Sequence, residues 1–120
     1  MRIEVAGGLR LDRRARAGLA VAARRFATTL AGWLYGERRR VDVEPIVPGL
    51  RRELARTPPY VPEGQIGSRE GEATRVAVFV QTPRSGVLVV AIGDARTTYQ
   101  VPAGFERRSG RWQVVHLNTH

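Results

Sequence analysis

The chain of 120 residues reads as an α+β protein, with a long N-terminal helix and a short second helix packed in a curved antiparallel sheet of about four strands. Three observations predict this. Apolar residues recur at helical spacing between 11 and 35, prolines at 58, 59 and 62 stop any helix, and the apolar period falls towards 2 beyond residue 65. A chain this long buries roughly two thirds of its surface on folding, which suits a single domain over 1–120 with one core.

The opening MRIEVAGGL reads as a short extended lead-in, with Gly7 and Gly8 as a joint before the helix. In the helix, Leu11, Ala15, Leu19, Ala22, Phe26, Leu30, Trp33 and Leu34 fall in one arc, and Arg10, Arg13, Arg14, Arg24 and Arg25 lie opposite. At 1.5 Å per residue the helix spans about 37 Å and needs a large apolar surface to cover it. Asp12 stands where a carboxylate can accept backbone N–H groups and oppose the positive end of the dipole. Gly36 stops the helix, and Arg38, Arg39 and Arg40 follow beside its negative end.

Residues 41 to 56 give a second helical piece, with Val43, Val47, Leu50 and Leu54 as its apolar stripe. Pro48 would remove a hydrogen bond inside a helix, so a turn ending near Val47 and a fresh helix with Pro48 in its first positions fits better. Beyond the proline connector, Val76, Val78 and Val80 alternate with their neighbours. Residues 83 to 86 turn the chain, and VLVVAI at 87 to 92 reads as a strand covered on both faces. Gly93 and Asp94 make the next turn. Tyr99, Val101, Ala103 and Phe105 share a face, and Pro102 among them predicts an edge strand or a bulge. Ser109 and Gly110 turn the chain into a last strand, where Trp112, Val114 and His116 oppose Gln113, Val115 and Leu117. Residues 65 to 70 are a candidate for a further short strand.

Cysteine is absent, which excludes disulfides, thiol catalysis and Cys-ligated zinc. No run approaches the roughly 20 apolar residues of a membrane-spanning helix, so the chain reads as soluble without membrane insertion; whether an anchor was removed upstream stays open. The net charge of +9 comes from 20 basic residues, all of them Arg. A GC-rich coding bias explains that uniformity more simply than selection for guanidinium chemistry. The charge nonetheless attracts acidic surfaces.

A general base in the interior would need a carboxylate or imidazole with a shifted pKa. Asp42, Glu44, Asp94 and Glu106 are the acids nearest the sheet; Asp42 reads as a helix cap, Asp94 as a turn residue and Glu106 as a solvent-facing strand residue. His116 beside Trp112 would form a pocket floor if their common face lines the interior. The catalytic candidates are therefore His116, Asp42 and Tyr99, while Phe26, Leu30, Trp33 and Trp112 are the residues expected to line or fill a cavity. No metal-ligand spacing, phosphate-cradling glycine loop or serine-hydrolase elbow is present, so neither metal nor cofactor is expected. Arg13, Arg14, Arg24, Arg25, Arg38, Arg39 and Arg40 form the basic surface. It is read as a solvated or protein-binding face ahead of a nucleic-acid one, because no base-reading motif accompanies it.

The helix containing FATTLAGWLYG, the segment PGLRREL followed by TPPYVP, and the finish TTYQVPAGFERRSGRWQVVHL together resemble the nuclear transport factor 2-like (cystatin-like) superfamily. Within it they are most similar to soluble domains of conjugation and type IV secretion scaffolds. The resemblance implies a cone-shaped domain acting as a non-enzymatic assembly scaffold with protein partners, extracytoplasmic and membrane-anchored in its setting. Separately, the long apolar strand 87 to 92 exposes one face unless something covers it, which fits a homodimer formed through the sheet. Other members imply the alternative, an isomerase-like or dehydratase-like enzyme or a binder of small apolar ligands in the cavity; Arg-mediated nucleic-acid binding is a further reading.

Overall fold

The structure is a computed structural model that describes residues 1–7, 11–34, 46–56, 72–93 and 98–117. It is an α+β fold in the order β1 (Arg2–Ala6), α1 (Arg13–Leu34), α2 (Pro48–Arg56), β2 (Glu72–Thr82), β3 (Ser85–Gly93), β4 (Thr98–Arg108) and β5 (Arg111–Leu117). The five strands form one sheet in the order β1-β2-β3-β4-β5, antiparallel except for the parallel pair of β1 and β2. The lead-in is thus a fifth strand. Its alternation is too short to separate from a loop by pattern alone, and it gains its place because Ile3 and Val5 stand beside Val76 and Val78 and pack against the core.

Helix α1 starts as its sequence dictates. The Ala15 amide donates to Asp12 Oδ1 at 2.7 Å, and the Arg16 amide donates to the Asp12 carbonyl at 3.0 Å. This cap matters because the first turn of α1 holds no acidic residue and opens on two arginines at the positive end of the dipole. Leu11, Ala15, Leu19, Phe26 and Leu30 are buried, as the apolar arc requires, and Ala23, Ala27 and Ala31 complete the buried stripe. These small residues let the helix approach the sheet closely. Helix α2 begins at Pro48, and Leu50 is buried; Ile46 just before it is also buried and forms a parallel bridge with Val114. The Val47 amide donates to the Val114 carbonyl at 3.1 Å, which ties the entry of α2 to the edge strand β5.

Pro102 does not mark an edge strand, because β4 lies between β3 and β5. Its missing N–H is tolerated for another reason: it pairs with Val89 on one side, while pairing with β5 ends at Ala103 and Leu117 on the other. A bulge does occur one step further on. Gly104 stands opposite His116 and Phe105 opposite Val114, so Val115 is an extra residue in β5. The β4–β5 turn has φ of 52° at Ser109 and 76° at Gly110, both left-handed, which matches the twist of a two-residue hairpin.

The helix-facing side of the sheet buries Val76, Val78, Val80, Leu88, Val90, Ile92, Val101, Ala103 and Phe105. On the opposite side the cross-strand neighbours Phe79 and Val87 are both exposed, and Ala77, Val89 and Ala91 are half-buried. Among the described residues the run 87–92 is therefore fully covered on one face only. Residues 65 to 70, the turn at Asp94 and Gly36 lie outside the described residues.

Candidate functional site

Among the described residues three places could carry function: the interior between α1 and the sheet, the outer flank where α1 meets the β4–β5 hairpin, and the outer sheet face with Phe79 and Val87. Among the described residues the interior is filled. Phe26, Leu30 and Trp112, expected around a cavity, are at most 7% exposed, and a void beside Leu19, Leu88, Phe105 and Trp112 holds about 10 Å³. That is at the limit for one water molecule, and its accessible lining is apolar. Among the described residues, Thr29 is the one buried polar side chain. Trp33 lies within α1, but its side chain is outside the described residues.

Filling is achieved by pairing large with small. A Cβ on Gly86 would stand 2.7 Å from Phe105 Cζ, so the Phe105 ring lies over a position that admits only glycine. Phe105 meets Trp112 edge-on, with centroids 5.5 Å apart and planes at 72°. Trp112 in turn lies against α1: its indole Nε1–H donates to the Ala15 carbonyl at 3.1 Å, and the ring lies beside Gly18. Arg107 caps the stack, its Cζ 5.6 Å from the Trp112 ring centroid.

The bulge decides the position of His116. Simple alternation puts it on the face of Trp112 and Val114, but the extra residue reverses the alternation, so Leu117 packs against the core and His116 is exposed. The pocket-floor arrangement with Trp112 is therefore not formed. Tyr99 belongs to β4 opposite Ile92, with its side chain outside the described residues; Asp42, Glu44 and Asp94 also lie outside them. Glu106 is solvent-facing as expected and pairs with Arg108 at 2.9 Å. Among the described residues no cluster of His, Asp or Glu could hold a metal, and no helix is long and apolar enough to cross a membrane.

The outer flank has a different character. A groove runs between the first half of α1 and the hairpin tip, formed by two adjoining depressions of about 480 and 340 Å³. They share Gly18, Val21, Gly110 and Trp112 as floor; Arg14 and Arg107 rim one, and Arg25 and Arg111 rim the other. Among the described residues Asp12 is the one carboxylate on this lining, and its Oδ1 is engaged by the helix cap. Val21 is 57% exposed in the middle of the groove. Of the basic surface expected from sequence, Arg13, Arg14, Arg24 and Arg25 are exposed on α1, whereas Arg38, Arg39 and Arg40 lie outside the described residues.

Sequence reasoning found the arginines and missed Val21. The signal was there: at 100° per residue Val21 falls about 20° from Arg14 and about 40° from Arg25 on the wheel, a lone apolar residue on the charged stripe. Arg107, Gly110 and Arg111 could not be linked to that stripe from sequence, because long-range packing, with Trp112 bonded to Ala15, brings the hairpin to the helix. Comparison with family models, with curated proteins and with solved structures gives no match.

Proposed function

We propose that this chain is a non-enzymatic protein-interaction module, a scaffold domain of the kind its sequence resembles in conjugation and type IV secretion assemblies. The observation that carries the reading is the filled interior. An enzyme or small-ligand binder of this architecture needs a hollow with convergent polar groups, and the described interior is apolar apart from Thr29. Surfaces remain as the places for recognition. One is the arginine-rimmed groove; the other is the outer sheet face with Phe79 and Val87, where a second copy would find an apolar patch.

The test is a titration of the isotopically labelled chain with small apolar and steroid-like ligands, following the methyl resonances of Leu19, Leu88 and Val114. Unchanged resonances are expected at ligand concentrations up to the solubility limit. Saturable shifts at these methyls would show a ligand entering the core and would overturn the scaffold reading in favour of the binder or enzyme.

A further inference from the structure

We infer that the groove between α1 and the β4–β5 hairpin takes an extended acidic segment of a partner protein, with an apolar side chain seated on Val21 between two carboxylates. This rests on the interaction-module reading and specifies its partner. Helix α1 carries arginine at 13, 14, 16, 24 and 25 and no acidic residue. Glu4 pairs with Arg2 at 3.0 Å and with Arg75 at 2.6 Å, and Glu106 pairs with Arg108, none of these ion pairs involving Arg14 or Arg25. Arg14 and Arg25 have no carboxylate partner among the described residues, and they stand at opposite ends of the groove.

Charge alone would suit any polyanion. The floor discriminates. A groove built for a phosphodiester chain gains nothing from an exposed valine, and single-stranded nucleic acid binding relies on exposed aromatic platforms. Here the groove's aromatic residue, Trp112, is 7% exposed and held by Ala15, Phe105 and Arg107, while the exposed residue at the centre is aliphatic. An acidic protein segment matches both features, because it covers Val21 and Ala17 with an apolar side chain while its carboxylates meet the guanidinium groups.

Spacing defines the segment further. Arg14 and Val21 are seven residues apart, about 10 Å along the axis, and Val21 and Arg25 are four apart, about 6 Å. An extended chain advances about 3.3 Å per residue, so these intervals match about three and two residues. The fitting pattern is Glu-x-x-Leu-x-Glu, read in the direction from Arg14 to Arg25.

The experiment is fluorescence anisotropy of the full chain with a labelled synthetic peptide that carries Glu-x-x-Leu-x-Glu in a serine background. Three comparison probes are the peptide with both Glu replaced by Gln, the peptide with Leu replaced by Ser, and a short DNA duplex. Saturable binding of the first peptide is expected, weakened at least about tenfold in the Gln peptide and about threefold or more in the Ser peptide. Affinity should also fall between about 50 and 300 mM salt. The double variant Arg14→Glu/Arg25→Glu should lose at least about tenfold and Val21→Ser about threefold, whereas Arg2→Glu, on the far sheet edge, stays within about twofold.

Equal binding of the Gln peptide, retention of affinity in the double variant, or no binding at all overturns the proposal. So does tighter binding of the duplex with loss in the same variants, which would assign the groove to nucleic acid. The peptide comparisons need no protein variant, so they decide the matter even if a substitution impairs folding. Failure of the peptide with a core still closed to apolar ligands removes this partner and leaves the module reading intact; shifts at the core methyls remove the module reading itself.

Discussion

Trp112 is the joint between the helix and the hairpin, and Trp112→Ala is the substitution that tests the architecture most directly. A fully buried aromatic side chain covers about 150–250 Å², and at about 25 cal/mol per Å² its removal from the core costs about 4–6 kcal/mol. Measured Trp-to-Ala losses run about 3–5 kcal/mol because the site collapses in part. The indole N–H to the Ala15 carbonyl adds about 1 kcal/mol, and the edge contact with Phe105 contributes a similar amount. We therefore expect a loss of about 4 kcal/mol. Against a total of about 6–18 kcal/mol for a chain of this length, the variant keeps roughly a third to three quarters of its stability. Trp112→Phe keeps an aromatic ring against Phe105 and loses the hydrogen bond, so it should cost about 2 kcal/mol. The assay is urea unfolding followed by far-UV circular dichroism, which does not depend on the indole being removed. A loss below about 1.5 kcal/mol for Trp112→Ala would mean that the helix does not dock through this residue.

Three further substitutions probe separate features. Gly86→Ala places a Cβ against the Phe79 carbonyl and 2.7 Å from Phe105 Cζ, so urea unfolding should show a loss of about 2–3 kcal/mol, far above an ordinary strand Gly→Ala change. Asp12→Ala removes the helix cap at an end that already holds two arginines, and a loss of about 1–2 kcal/mol with reduced amide protection at Ala15 is expected from hydrogen exchange. His116→Ala should stay within about 0.5 kcal/mol of the parent in the same unfolding assay, since the bulge turns the imidazole to solvent; a loss near 2 kcal/mol would place it in the core after all.

The patterns legible in the sequence were those fixed by local periodicity and local chemistry. The amphipathic arc of α1, the Asp12 cap, the start of α2 at Pro48 and the Ser109–Gly110 hairpin all depend on residues close to one another in the chain. The α+β class follows from those patterns, because an apolar helical stripe and a half-buried sheet have few ways to cover each other. Tertiary structure alone decided the rest. β1 becomes a strand through its pairing with residues some seventy positions away, and one extra residue in β5 reverses the face of His116, although nothing in the local alternation announces the bulge. The groove likewise exists because Trp112 bonds to Ala15, 97 residues distant, and so sets Arg107 and Arg111 beside Arg14 and Arg25. Periodicity assigns a residue to a face; only long-range packing determines what that face meets.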